Sequence, residues 1–468
     1  MLSNDSPFLK SLNYFIFAIS TTLMITLAIV NDGSANDVHL EVSELIITKG
    51  KTPEYTDCWQ CYHPKLYHHT VAKLWTWFDI TSKESRIILA QLLNAFAGIF
   101  TLLICLVFIL GQPFSRLVQL FSFSMMALNP RFIAIHAQAT NDAFLILFGT
   151  LTVYALCQFL KKPSLRFYLI ILIASIFAGA TKGNSFILMS GVVVVFLLKI
   201  ISTQDFKFPI GKNYLGSLLF FLIINFLAVG YFGGYFDNHK KYGHPFQYNT
   251  PVSELPYLLE KTDFRRPGVQ SIASGYFTFR FFDMIKNPTI TNEYGDHYPL
   301  HRTSVWSQLY GRSHFLYFDN WPAGKWQSNN PTMMNVGRGA LILALFPSIL
   351  FLIGFLKDLK IWWRLFSERS FNFLNKNADW MFSIFNVGFL VFIILFTAVG
   401  RDYSFMKVIY LFPGILAAMI PLLKGFDSAF SFLKKSKIGI SVFQMSIFVL
   451  LVFYVIPILN LIGKLIRV

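Results

Sequence analysis

Charge is what this sequence has least of. Of its 468 residues only 14% are Asp, Glu, Lys or Arg, against about 25% in a soluble globular chain, so water is not its main solvent. Acidic residues are the scarcer kind, 24 against 40 basic ones, which leaves a formal charge of +16. In a soluble protein that imbalance suggests nucleic acid. Here the Lys and Arg residues fall in short stretches between apolar runs, where they fix topology, and no nucleic-acid partner is expected. Nucleotide signatures are missing as well. There is no GxxxxGK[ST] and no GxGxxG between strand and helix, which argues against an ATP-driven pump. Cysteines number four; Cys105 and Cys157 lie in apolar runs and read as inert core thiols. No small-residue cleavage site follows the first apolar run, so it reads as a retained span.

What is present is apolar: 54% hydrophobic residues, 52 of the total being Phe, and a mean hydropathy of +0.53. At about 20 residues per crossing, the runs predict about eleven spans, near 12–30, 87–110, 116–135, 142–160, 167–181, 184–201, 215–234, 338–356, 380–399, 407–423 and 440–462. The expected fold is an all-α polytopic membrane protein. Its parts are an N-terminal transmembrane module (1–234) with a first outer loop at 31–86, a long outer loop at 235–336, and C-terminal transmembrane helices (337–468). Both larger outer loops are expected to carry juxtamembrane helices.

Sidedness follows from the basic residues. With Lys10 cytoplasmic, alternate loops hold Arg116, then Lys161, Lys162 and Arg166, then Lys207 and Lys212. Later ones hold Lys357, Lys360, Arg364, Arg369 and Lys376, and finally Lys424, Lys434, Lys435 and Lys437. The N-terminus is thus expected inside and the C-terminus outside. On that assignment all ten histidines, from His39 to His314, fall on the outer face. So do Asp37, Glu41, Asp57, Asp142, Glu293, Asp296, Asp319 and Asp402. The groups suited to acid–base chemistry are gathered on one side.

Asp37 follows the first span by a few residues, which sets it at the membrane–water boundary. Partial desolvation there raises a carboxyl pKa and suits a general base; the same position also suits an N-cap for a helix starting near His39. Further on, Cys58-x-x-Cys61-x-His63 with His68 and His69 allows two readings. One is a local disulfide or free thiols on an oxidising side. The other is a divalent metal held by Cys58, Cys61, His63 and His68. Tyr62 between Cys61 and His63 breaks the haem-attachment signature.

The ordered set of motifs resembles the GT-C superfamily of polyprenyl-phosphate-sugar-dependent glycosyltransferases, near its protein O-mannosyltransferase and lipid A aminoarabinose transferase branches. Asp37 matches the acidic residue after the first span of that family. Val38 stands where the family often has Glu, and Glu41 shares the candidacy. His63-Pro64-Lys65-Leu66-Tyr67 is similar to its Pro-Pro-Leu-Tyr motif with Lys65 in place of the second proline. Asn129-Pro130 followed by Thr140-Asn141-Asp142 resembles its Pro…Asp junction, and Arg401-Asp402-Tyr403 its Arg-x-Tyr. The resemblance spans residues 10–185, and the last third more weakly.

It implies an inverting glycosyltransferase that passes a sugar from a polyprenyl phosphate to an acceptor hydroxyl on a protein, lipid or glycan. Asp37, Glu41 and Asp142 would be catalytic. Lys182, Arg401 and Lys407 would hold the donor phosphate, Arg as a fork and Lys as a point charge. The acceptor or sugar would meet His63, Tyr67, Arg302, Trp306 and Trp321, since aromatic faces and polar edges suit sugar rings. The expected setting is a bacterial inner membrane, with the endoplasmic reticulum as alternative. A multi-pass transporter or a flippase of lipid-linked glycans is the competing class, though no internal repeat of the transporter kind is visible.

Overall fold

The structure, a computed structural model, describes residues 7–33, 36, 38–204, 209–247, 268–288, 300–315, 330–368, 372–375, 378–400, 405–434 and 436–466. Asp37, Trp321 and Arg401 lie outside the described residues, as do Glu293, Asp296, Asp319 and Asp402. Among the described residues the chain is overwhelmingly helical, and nine helices are long and apolar enough to cross a membrane. It is an integral membrane protein.

The first module begins with α1 (Pro7–Val30), followed in the first outer loop by α2 (His39–Lys49) and α3 (Leu66–Trp77). Next come α4 (Lys83–Leu110), α5 (Arg116–Ala127), α6 (Pro130–His136) and α7 (Asp142–Lys161). The module closes with α8 (Leu165–Thr181), α9 (Ser185–Thr203) and α10 (Tyr214–Phe232). Among its described residues the second loop carries α11 (Tyr235–Tyr242), α12 (Ile272–Tyr276), α13 (Phe281–Lys286) and α14 (Val305–His314). Four long helices end the chain: α15 (Pro331–Glu368), α16 (Trp380–Val399), α17 (Ile415–Leu433) and α18 (Lys437–Leu465). Both loops thus carry short helices.

Local chemistry sets the ends. Ser82 and Ser115 cap α4 and α5, their hydroxyls accepting from Ser85 N and Val118 N. The expected span at 116–135 is broken: α5 and α6 form a pair bent by 49°. Asn129 stops one helix and caps the next by accepting from Phe132 N, with Pro130 following where its missing N–H costs nothing. The expected span at 407–423 also starts differently. Residues 408–410 and 412–414 form two 3-10 turns before α17 begins, and Pro413 lies in the second. At 17 residues, α8 is shorter than the nine helices long enough to cross.

The core is centred on α7, whose most apolar stretch is 72% buried. It packs against α4, α8 and the turn at 412–414. That last contact is close, because a Cβ on Gly149 would sit 2.5 Å from the Pro413 carbonyl oxygen. The closest helix pair is α15 with α17. Here Gly354 faces the Pro421 carbonyl and Gly425 faces the Leu350 carbonyl, so that two backbones touch, as small residues allow in membranes. Asp358 and Lys424 form a salt bridge across the same seam.

The seam yields a test. A side chain at Gly354 meets backbone that cannot rotate away, so Gly354→Val should cost about 1–3 kcal/mol. Thermal unfolding of the purified protein in detergent should show a lower midpoint; an unchanged midpoint would remove this contact from the account.

Candidate active site at the outer helix ends

The site is built around the non-helical run 137–141 that joins α6 to α7. A helix end leaves backbone groups unpaired, and here three asparagines take them up. Asn31 Nδ2 donates to Ala137 O (3.0 Å). Asn36 Oδ1 accepts from Ala139 N (2.9 Å). Asn94 Nδ2, from α4, donates to both Gln138 O (2.5 Å) and Thr140 O (2.8 Å). The residues flanking position 37 are thereby fastened to the strip that ends in Asp142.

Asp142 points inward and is almost wholly buried. Its Oδ1 pairs with Lys182 Nζ at 2.7 Å, and its Oδ2 accepts from Thr140 Oγ1 at 3.3 Å. Lys182 follows α8 at the turn into α9, with its ammonium 5.8 Å from the centre of the Tyr410 ring. Asp142 also feels the charges of His39 and Lys407. Lys407 precedes the first 3-10 turn and is half-buried. Of the three expected phosphate ligands, Lys182 therefore pairs with this carboxylate, and Lys407 acts on it only through its charge. Both carboxylate oxygens of Asp142 are engaged, which suits a holder of Lys182 better than a free base.

The first outer loop closes over this pair. His39, at the start of α2, is buried and lies 3.3 Å through Nε2 from Thr140 Oγ1. Its ring stacks against His63 (centroids 6.0 Å apart) and His68 (5.8 Å). The residue before it, Val38, has φ +53°, a left-handed conformation that is costly for a β-branched side chain. Glu41, one turn on, is exposed.

Cys58 and Cys61 are joined in a disulfide. Of the two readings of the cysteine–histidine cluster, the disulfide is the one realised. Neither sulfur is left as a thiolate, and the residues do not fit a metal; among the described residues no group of three or more His, Cys, Asp or Glu side chains is placed to hold one. The call of Cys58, Cys61, His63 and His68 as metal ligands is corrected accordingly. Lys65 closes the turn by donating to the carbonyls of Cys61 and His63, and burial pushes its pKa down to about 7. Burial also holds His63 and His68 well below the ordinary imidazole range, with Lys182 adding to the effect on His63 and His39 to that on His68.

The expected acceptor residues divide. His63 is half-buried at the edge of the stack. Tyr67 is fully buried, its ring edge-on to Phe144, and Arg302 is fully buried beside His301. Neither presents surface to a sugar in this conformation. Trp306 donates its indole N–H to Tyr276 O (2.7 Å), which ties α14 to α12. Sequence reasoning singled out no role for His39, Thr140 or Tyr410. The one available signal was Thr140, two residues before Asp142, a spacing at which a hydroxyl reaches a neighbouring carboxylate or backbone N–H.

Residues 72–236 match the family described as dolichyl-phosphate-mannose-protein mannosyltransferase, which bears out the resemblance to the GT-C glycosyltransferases. Asp142, Lys182 and the core helix α7 all lie within the matched segment. No curated protein matches the chain. Two solved structures are similar in outline. The Archaeoglobus fulgidus oligosaccharyltransferase, solved with Zn and sulfate, aligns at 13% identity and TM-score 0.47, over 94% of this chain and 52% of that one. ArnT from Cupriavidus metallidurans, bound to undecaprenyl phosphate, aligns at 12% identity and TM-score 0.36, over 90% of this chain and 79% of that one. This chain thus spans about half the length of the oligosaccharyltransferase.

Two expectations follow from the geometry. Asp142→Asn strands a buried cation, so it should cost about 3–5 kcal/mol, and Asp142→Asn with Lys182→Met should cost less than the single change. Thermal midpoints of the three proteins decide this; a double variant weaker than Asp142→Asn contradicts the pairing. The second concerns pH. His68 has a folded pKa well below the ordinary 6.5, so below about pH 6.5 the unfolded chain takes up a proton that the folded loop refuses, and stability falls with pH. Hydrogen exchange across 58–69 should accelerate, after correction for intrinsic rates, between about pH 7.5 and about pH 5. Equal protection at both would contradict it.

Proposed function

We propose that this protein transfers a sugar from a polyprenyl phosphate to an acceptor hydroxyl on the non-cytoplasmic face, with inversion at the anomeric carbon. The observation that carries the reading is the buried Lys182–Asp142 pair, set at the helix ends inside the segment that matches a lipid-phosphate-sugar transferase family.

Lys182, Lys407 and Arg401 hold the phosphate of the donor. Asp142 holds the Lys182 ammonium in place, because a buried charge is costly unless it is paired. Asp37, or Glu41, takes the proton of the acceptor hydroxyl. The acceptor oxygen forms a bond to the anomeric carbon as the bond from that carbon to the phosphate oxygen breaks. The polyprenyl phosphate leaves as an anion. Negative charge grows on that leaving oxygen, and cations already in place are the most effective way to stabilise it. A single displacement inverts the anomeric centre. No step is routed through a metal. His63, Trp306 and Trp321 are assigned to the acceptor, which is a protein, lipid or glycan. A bacterial inner membrane is the setting this reading favours over the endoplasmic reticulum.

The test is direct. Purified protein incubated with radiolabelled dolichyl- and undecaprenyl-phosphate sugars should transfer label to an acceptor fraction. Asp37→Asn should lower the rate by about 10²–10⁴, the usual worth of a general base, and leave the protein folded and inserted. Undiminished transfer by Asp37→Asn moves the base to Glu41, and undiminished transfer by Asp37→Asn with Glu41→Gln removes both. Absence of transfer from every such donor overturns the proposal.

A further inference from the structure

Four chain segments meet at Asp142. His39 comes from the first outer loop, Thr140 from the α6–α7 junction, Asp142 from α7 and Lys182 from the turn after α8. All four are at least nine-tenths buried. Counting protons fixes the direction of the bonds between them. The Thr140 hydroxyl has one proton. A carboxylate has none to give, so that proton goes to Asp142 Oδ2. Thr140 Oγ1 then accepts twice, from Asp142 N at 3.3 Å and from His39 Nε2 at 3.3 Å. His39 is therefore the donor, with its proton on Nε2.

His39 does not hold this position alone. Its ring lies nearly parallel to those of His63 and His68, at interplanar angles of 16° and 17°. His63 is two residues past the Cys58–Cys61 bridge. His68 lies on α3, and its backbone carbonyl accepts from Ser43 Oγ of α2 (3.1 Å). The shape of the disulfide-braced loop is thus passed to Thr140 and from there to the carboxylate.

We propose that His39 is a positioning residue: as an Nε2–H donor to Thr140 it orients the Asp142 carboxylate and, through it, the Lys182 ammonium. The loop that is to supply the acceptor side and the cation that is to meet the donor phosphate are mechanically joined at this point. The catalytic consequence rests on the role given to Lys182 above, whereas the positioning itself does not.

The experiment uses the full chain in detergent or nanodiscs with His39→Ala, His39→Gln, Thr140→Val, Thr140→Ser and the His39→Ala, Thr140→Val double variant. The first readout needs no donor: the rate at which a succinimidyl ester modifies Lys182, followed by mass spectrometry of its own peptide. His39→Ala and Thr140→Val should each raise that rate about tenfold, the worth of one hydrogen bond in a charged network. His39→Gln, which keeps an N–H donor, and Thr140→Ser should stay near wild type, and the double variant should exceed neither single one by much. A His39→Gln protein as fast as His39→Ala would reduce His39 to packing and overturn the proposal. So would a His39→Ala protein at the wild-type rate. The second readout is binding of undecaprenyl phosphate, expected to weaken in the same order. If the wild type does not bind it, the functional reading falls, and the labelling order still decides the positioning.

Discussion

A buried ammonium paired with a buried carboxylate is the constraint around which the rest is arranged. Lys182 and Asp142 meet at 2.7 Å with little water access, and such a pair persists only where further groups satisfy the remaining lone pairs and protons. Thr140 supplies one of them and Tyr410 offers the face of its ring. Thr140 can do so because Asn31, Asn36 and Asn94 hold the 137–141 run out of helical form. Three polar side chains in an apolar chain are thereby committed to fixing one short stretch of backbone. That is economical if the stretch carries the functional pair, and hard to account for if it is a plain connection.

The opposite ends of the helices show different chemistry. There Lys199 caps the carbonyl of Leu374 and the side chain of Asn375, and Lys424 pairs with Asp358 across the α15–α17 seam. Cations at that end tie helices to one another. At the end bearing the histidines, cations gather on one carboxylate and an aromatic ring.

Much of the fold was legible because the membrane imposes a length on each crossing. Nine of the eleven expected positions carry a helix long and apolar enough to cross, whereas the span expected at 116–135 is a bent pair and the one at 167–181 is shorter. The delayed start of α17 was less legible, since 407–423 is as apolar as a helix while Pro413 favours the turn that precedes one. The site was legible only in its charges. Asp142, Lys182 and Lys407 were drawn out by the family resemblance, supported by their charge and their place near helix ends. The link from His39 to Thr140 joins residues 101 positions apart, and no local pattern encodes such a contact. Tyr67 and Arg302 mark the opposite failure. Residue types suited to sugars were expected at a surface, and the packing placed both in the interior.

The claim that the histidine-bearing end receives a lipid phosphate is tested most directly by photo-crosslinking the intact protein with a diazirine-bearing polyprenyl phosphate and mapping the modified peptides. The account predicts modification concentrated on the peptide around Lys182 and on the segment that precedes α17, around Lys407. Modification concentrated around Lys357 and Lys424 at the opposite end, or spread evenly over the lipid-facing helices, would contradict it.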